Sequence, residues 1–150
     1  MWHFPAYKNA LVITTGNRIR IKKTGGAFVI PFIQKVYEID LHPFYVHDDQ
    51  VYAADDGYIR INWTASIRLD EQKLQYVLKN GYNNTVEEAG EIMKRWVREV
   101  TSWYKRDDIV MEMRAFAHEV QTHVEKELAE RGLDFCYMNF HDFSFQEHAS

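Results

Sequence analysis

The chain has 150 residues, of which 46% are hydrophobic and 15% aromatic, and its formal net charge is −4. This length suffices for one domain with a sizeable core, and the negative charge argues against a nucleic-acid-binding protein, which neutralises phosphates with Lys and Arg. The single cysteine, Cys136, excludes a disulfide scaffold or a cysteine-ligated zinc site within one chain. No apolar run reaches the 18 residues that span a bilayer as a helix.

Short strands and a cluster of positive charges come first in the chain. Residues 10–14 form a β-rich run, 15–17 carry a turn signal, and 18–22 alternate polar and apolar residues as a half-buried strand does. The basic cluster of this region consists of Arg18, Arg20, Lys22 and Lys23. Such residues either protect a solvated sheet edge or form a basic rim that suits an anionic bilayer surface.

A glycine pair and an apolar run follow, and the rest of the chain is organised around them. Gly25 and Gly26 allow a tight turn, and residues 27–33 are all apolar. Pro31 interrupts the run because proline donates no ladder hydrogen bond. We therefore predict a short strand, a bend at Pro31 and a second strand over 34–40. The apolar residues form either a corner of the core or an exposed edge that contacts another molecule.

The clearest strand pattern lies between residues 58 and 69. Even-numbered polar or tyrosine residues alternate without error with the odd-numbered apolar ones, which predicts an antiparallel sheet with one buried face. An Asp-Gly pair at 56–57 predicts the hairpin turn before it. Further upstream the apolar phase changes at Pro43, which predicts a β-bulge there.

Helical periodicity replaces the strand pattern after Leu69. Asp70 is predicted to cap a short helix that ends at Gly81. A capping box at Thr85–Glu88 is predicted to start a long helix, and Asp107 is predicted to start another helix, which ends at Gly132. Predicted i,i+4 ion pairs within these helices are Glu91–Arg95, Arg95–Glu99 and Glu127–Arg131. Residues 133–145 return to a strand pattern. The order predicts an α+β fold: a mostly antiparallel, strongly bent sheet, helices packed on one side, and a closing C-terminal strand.

No catalytic or metal site is predicted, and no cofactor. His118 and His123 stand at i,i+5, about 140° apart around a helix, so they do not share a metal ion. Neighbours on a strand point to opposite faces, so His141 and Asp142 are not expected to act as a pair. Cys136 is expected to be a small buried residue of the sheet. An enzyme would require two or more of these side chains within bonding reach.

Four segments together carry a family resemblance. Residues 25–36 combine a glycine turn with an apolar-proline-phenylalanine run, 39–41 read Ile-Asp-Leu, 51–57 end in Asp-Gly, and 124–135 form a helix–glycine–strand closure. In this order and spacing they resemble the SPFH family, also called band 7, which includes stomatin, prohibitin, flotillin and the bacterial HflK/HflC type. The Gly-Gly-Ala-Phe-Val and Val-Tyr elements are most similar to flotillins.

The resemblance implies a non-enzymatic scaffold that lies peripherally on a membrane, at its cytoplasmic face. Family members oligomerise on membranes, organise microdomains and in some branches regulate membrane proteases, so the implied partners are further copies of the chain, a bilayer surface, and a membrane protease or other membrane protein. Residues 1–9 are expected to form an N-terminal segment and 10–145 the SPFH domain. Residues 146–150 are expected to start a C-terminal helix or tail, through which assembly would occur.

Membrane contact is expected at five apolar side chains beside the basic rim: Trp2, Phe4, Phe28, Ile30 and Phe32. Two alternatives to membrane contact stay open for these side chains. One is that Trp2 and Phe4 pack back on the domain, and the other is that the residues of the 28–32 run are buried in the core. The alternative function is a soluble protein–protein interaction module, for example a regulator of a membrane protease, without direct lipid contact.

Overall fold

The computed structural model describes residues 1–6 and 9–148, and it has eight strands and four helices within them. The strands are β1 Trp2–His3, β2 Asn9–Thr15, β3 Arg18–Lys22, β4 Ala27–Phe28, β5 Lys35–Asp40, β6 Phe44–Ala54, β7 Gly57–Leu69 and β8 Leu133–Gln146. The helices are α1 Leu74–Asn80, α2 Tyr82–Ser102, α3 Arg106–Met111 and α4 Met113–Glu130, and a 3₁₀ turn, Glu71–Lys73, precedes α1.

The strands form three antiparallel sheets, in the orders β1-β4, β3-β2-β5 and β6-β7-β8. The predicted α+β fold is confirmed, with helices that follow the strands and a C-terminal strand that returns to the sheet. The predicted bulge at Pro43 is wrong. Pro43 instead lies between β5 and β6, which belong to different sheets, so the change of apolar phase there marks a change of sheet.

One main core joins the inner faces of the two three-stranded sheets to the helices. The alternation predicted for β7 is observed, since its inward residues from Ile59 to Leu69 are all buried. Trp63 and Phe116 are the largest side chains that solvent does not reach. Helix α4 packs on β8 through Phe116, whose ring centroid lies 5.2 Å from that of Phe140. Because one face of the sheet is packed in this way, its register is strongly specified.

The helix boundaries agree with the predicted caps at Asp70 and Gly81, but the single helix predicted from Asp107 to Gly132 is divided at Glu112 into α3 and α4. The Asp70 side chain accepts a hydrogen bond from the Gln72 backbone N–H, as predicted for an N-cap. The predicted start of the long helix is wrong. Helix α2 begins at Tyr82, one turn before the expected capping box, and the Thr85 hydroxyl donates to the Gly81 carbonyl at 2.9 Å. Thr85 is therefore a buried residue of the first turns, not a cap.

Ion pairs between α2 and α4 replace the ones predicted within single helices. Arg95 pairs with Glu127, and Arg131 donates to Glu88 at 2.7 Å. The prediction was wrong because helix periodicity shows only the partners within one helix. When two helices pack side by side, a carboxylate on the neighbour competes with the i,i+4 partner.

Two bulges in β8 correct two further expectations. Cys136 and His141 have no partner in the register with β7, so each is the extra residue of a bulge. Phe140 and Phe143 both pack on the core, so the two residues between them both face outward. His141 and Asp142 thus share a face, contrary to the alternation rule, and Cys136 is exposed rather than buried.

Gly132 is the glycine whose replacement we expect to cost most among those that end a helix. It has φ +80°, and a Cβ atom there would lie 2.6 Å from Cγ2 of the buried Val77. Gly132→Ala should lower the free energy of unfolding by about 1–3 kcal/mol. The matched change Gly90→Ala within α2 meets no atom within 4 Å and should raise it by about 0.5–1 kcal/mol. Urea unfolding of both variants tests this, and equal effects would contradict it.

Candidate functional site

The N-terminal residues form a two-stranded ribbon with the apolar run. In β1 and β4, Trp2 pairs with Phe28 and His3 with Ala27. The Met1 amino group donates to the Val29 carbonyl at 3.0 Å, and the Val29 N–H donates to the Met1 carbonyl at 2.7 Å. The ribbon therefore joins two segments about 26 residues apart in sequence.

The ribbon covers the outer face of the β3-β2-β5 sheet. Ala27 and Val29 pack on Leu11 and Ile13 of β2 in a second, smaller core, with Val36 beside them. Because successive residues of an extended chain point to opposite sides, burial of Ala27 and Val29 turns Phe28 and Ile30 outward.

The outward side of the ribbon and of the turn after it is an apolar patch. Its six exposed side chains are those of Trp2, Phe4, Phe28, Ile30, Phe32 and Ile33. The Trp2 and Phe28 rings contact each other edge to face at 5.7 Å, yet they remain 64% and 52% exposed. The Phe4 ring lies over Gly26, where a Cβ atom would come within 2.4 Å of it. Contiguous exposed apolar side chains of this kind mark contact surfaces.

A strained turn presents Phe32 at the end of the patch. Phe32 has φ +71° and is fully exposed, although left-handed backbone is unfavourable for a large side chain. Gln34 closes the turn. Its N–H donates to the Ile30 carbonyl, and its side-chain oxygen accepts from the Ile30 N–H, both at 3.0 Å. The Gln34 side-chain amide also donates to the Thr15 hydroxyl at 3.1 Å, so the turn is tied to β2.

Three of the four basic residues lie on the same face of the sheet as the ribbon. Residues paired directly across antiparallel strands share a face, and Lys22 pairs with Leu11, Arg20 with Ile13. Arg18 continues this row by alternation. All three cations are exposed, and within the described residues none forms an ion pair. Lys23 is different, because it pairs with Glu71 at 3.1 Å.

Two carboxylates lie on this face at the opposite edge of the sheet, on β5. Glu38 accepts from the Ala6 N–H at 2.8 Å and from the Asn9 side chain at 3.1 Å. Asp40 accepts from the backbone and side chain of His42, and the backbone hydrogen bond is the main reason that the pKa of Asp40 is lowered. The register places β2 and the ribbon between these carboxylates and the cations of β3.

The sequence comparisons agree with this architecture. The family model described as "SPFH domain / Band 7 family" matches residues 4–147. The chain belongs to this family. Flotillin-like protein FloT of Bacillus subtilis (strain 168) is 26% identical to it over 134 residues, which cover 84% of this chain and 26% of the relative. The predicted flotillin-like resemblance is confirmed, and the SPFH chain spans about a quarter of the length of this relative.

The side chains weighed for catalysis are not brought together in this SPFH domain. His123 stacks on Trp96 with ring centroids 4.2 Å apart, and His141 bonds the Thr64 hydroxyl at 3.0 Å. Among the described residues, no bond joins any two of His118, His123, Cys136, His141 and Asp142, and no group of three potential ligands could hold a metal ion. In the same part of the chain, no helix is long and apolar enough to cross a membrane.

Five of the six patch residues were named from the sequence, but Ile33 and the Gln34 that closes the turn were not. Ile33 belongs to the 27–33 run and was open to prediction. Gln34 carried no signal, because its role depends on a hydrogen bond to Thr15, 19 residues away.

Proposed function

We propose that this SPFH domain is a non-catalytic scaffold module that contacts a bilayer surface peripherally, at the cytoplasmic face. The observation that supports the proposal most directly is the apolar patch, in which large side chains face solvent on a ribbon that the fold holds in place. Five of its six members are the residues named from the sequence: Trp2, Phe4, Phe28, Ile30 and Phe32.

The expected strength of the contact follows from the side chains involved. Complete transfer of a Phe side chain from water contributes about 1.5–3 kcal/mol, and each cation near an anionic surface about 1 kcal/mol. Several partly inserted rings with the row of Arg18, Arg20 and Lys22 therefore give binding that is measurable and reversible. We propose that this row is the basic rim of the contact, with Lys23 a weaker member because Glu71 already engages it.

Self-association belongs to the same proposal. A relative named as a flotillin-like protein and membership of the SPFH family support assembly of further copies into membrane microdomains. We propose that a C-terminal extension mediates this assembly where it is present, and that a membrane protease or other membrane protein is a further partner.

Flotation with lipid vesicles, combined with mass determination by light scattering, tests the proposal. The chain and a longer one extended at its C-terminus should both float with vesicles, and the longer chain should have the larger mass. If the chain binds no vesicles of any lipid composition, the membrane contact is wrong. Capture of protein partners without any lipid dependence would then favour the soluble interaction module.

The basic row should determine the lipid preference of the contact. Arg18→Glu combined with Arg20→Glu should weaken binding to vesicles rich in phosphatidylserine by about tenfold or more, because two attractive charges become repulsive. Binding to neutral vesicles should change little. Lys23→Glu should have a smaller effect than the matched single reversal Arg20→Glu, since Lys23 is already paired. Equal losses on neutral and anionic vesicles would argue against a basic rim.

A further inference from the structure

Strand β8 leaves part of its outer edge open. It is the last strand of the β6-β7-β8 sheet, so β7 pairs with one of its edges only. Ala54 and Gly57 flank a two-residue hairpin loop, so they form a hydrogen-bonded pair. Because such pairs alternate along the ladder, the backbone N–H and C=O groups of the odd-numbered β7 residues hydrogen-bond to β6. Met138 and Phe140 lie opposite such residues, and their backbone groups therefore turn away from β7.

A helix protects this edge at Met138 but not at Phe140. The Gln121 side chain on α4 donates to the Met138 carbonyl at 3.1 Å. Within residues 1–6 and 9–148, no hydrogen bond reaches the outward N–H or C=O of Phe140. A strand edge with free backbone groups is a template for one further strand.

A groove of about 470 Å³ runs beside the open edge. Met113, Arg114 and Ala117 at the start of α4 form one wall, and residues 138–141 form the other. Met113 is 44% exposed, and its flexible thioether adapts to different apolar groups. Arg114 is exposed and forms no ion pair with any residue in the described part of the chain.

We propose that this groove binds a short extended segment of a partner protein, which carries an apolar side chain two residues away from a carboxylate, so that both point to the face of the sheet where α4 lies. The segment adds to the sheet at Phe140, because only an extended backbone matches the alternating donor and acceptor of a strand edge. Its apolar side chain lies against Met113 and Ala117. Its carboxylate pairs with Arg114, which supplies a planar pair of donors for such a group.

The two bulges favour a short segment over a second copy of this chain. Symmetric pairing of two β8 strands needs a regular edge along most of the strand, and bulges at Cys136 and His141 interrupt that regularity. The stretch between them, residues 137–140, is long enough to bond only a few residues of a partner. Bulged edges commonly resist edge-to-edge association of whole sheets.

An NMR titration of the ¹⁵N-labelled chain tests the proposal. The probe is an acetylated and amidated heptapeptide of alternating threonine and valine with glutamate at its centre. We expect amide shifts at residues 138–141 and at Arg114, together with slower hydrogen exchange of the Phe140 amide. The same peptide with lysine in place of glutamate should bind about tenfold more weakly, because its charge opposes Arg114.

Two charge reversals separate a specific site from general attraction. Arg114→Glu should weaken binding of the glutamate peptide about tenfold and favour the lysine peptide, whereas Arg98→Glu, an exposed arginine of α2, should leave both unchanged. Equal losses in the two variants, shifts outside the groove, or no shifts at millimolar peptide would each overturn the proposal. So would shifts in β8 that depend on protein concentration without peptide, which would assign the edge to a second copy.

Discussion

Phe28→Glu combined with Phe32→Glu should reduce vesicle binding of this SPFH domain by about a hundredfold or more. Both side chains are exposed on the apolar patch, at the ribbon and at the tip of the turn closed by Gln34. The double change removes two rings that contribute about 1.5–3 kcal/mol each when buried, and it places two carboxylates where they would have to leave water. Flotation measures the loss with neutral vesicles, where repulsion from anionic lipids plays no part.

The fold should survive this double substitution. Neither side chain contributes to the smaller core, which consists of Ala27 and Val29 packed on β2. The melting temperature should therefore stay within a few degrees of that of the unmodified chain. Tyr45→Glu combined with Tyr76→Glu is the matched control, because it places the same charges at exposed aromatic positions of β6 and α1. Equal loss of binding in both double variants would show that the patch does not govern the contact.

The sequence predicted those parts of the fold in which the pattern of neighbouring residues along the chain determines which side chains are buried. The period-2 alternation of β7 is one such case, because each of its residues faces either the core or solvent. The Ala27–Ile33 run is another, since Pro31 had to end one strand there. The order and spacing of these elements along the chain indicated the SPFH family, and the family match over residues 4–147 agrees with this.

The errors concern positions that depend on distant partners. Residues 133–145 have a strand pattern, but only pairing with β7 shows that Cys136 and His141 are the extra residues. Likewise, pairing of Lys23 with Glu71 distinguishes it from the rest of the basic row, and the two are 48 residues apart. Local periodicity holds no information about which distant group competes for a side chain.

Tyr52→Phe should lower the free energy of unfolding by about 2–4 kcal/mol, which is large for the loss of one oxygen atom. The Tyr52 hydroxyl donates to Asp48 at 2.7 Å and accepts from the Trp63 indole N–H at 3.2 Å. All three side chains are buried between the sheet and α2, with Trp63 inaccessible to solvent. Without the hydroxyl, a buried indole N–H and a buried carboxylate both lose a partner, and each unpaired group costs about 1–3 kcal/mol.

Tyr58→Phe is the matched control on the adjacent strand, because the Tyr58 hydroxyl forms no hydrogen bond with any described residue. Urea unfolding should show that the free energy of unfolding of this variant lies within about 0.5 kcal/mol of that of the unmodified chain. Similar values for the two variants would mean that the buried hydroxyl contributes no more than a surface one.

The same hydroxyl should make stability depend on alkaline pH. Burial, followed by hydrogen bonding to Asp48, raises the pKa of Tyr52 above its usual value of 10.0. A folded-state pKa above the unfolded value contributes stability that is fully present below pH 10 and is lost as the pH rises beyond it. The stability difference between the unmodified chain and Tyr52→Phe should therefore shrink above pH 10. A difference that stays constant with pH would show that Tyr52 titrates in the same way in the folded and unfolded chain, and hence that water reaches its hydroxyl despite the packing around Trp63.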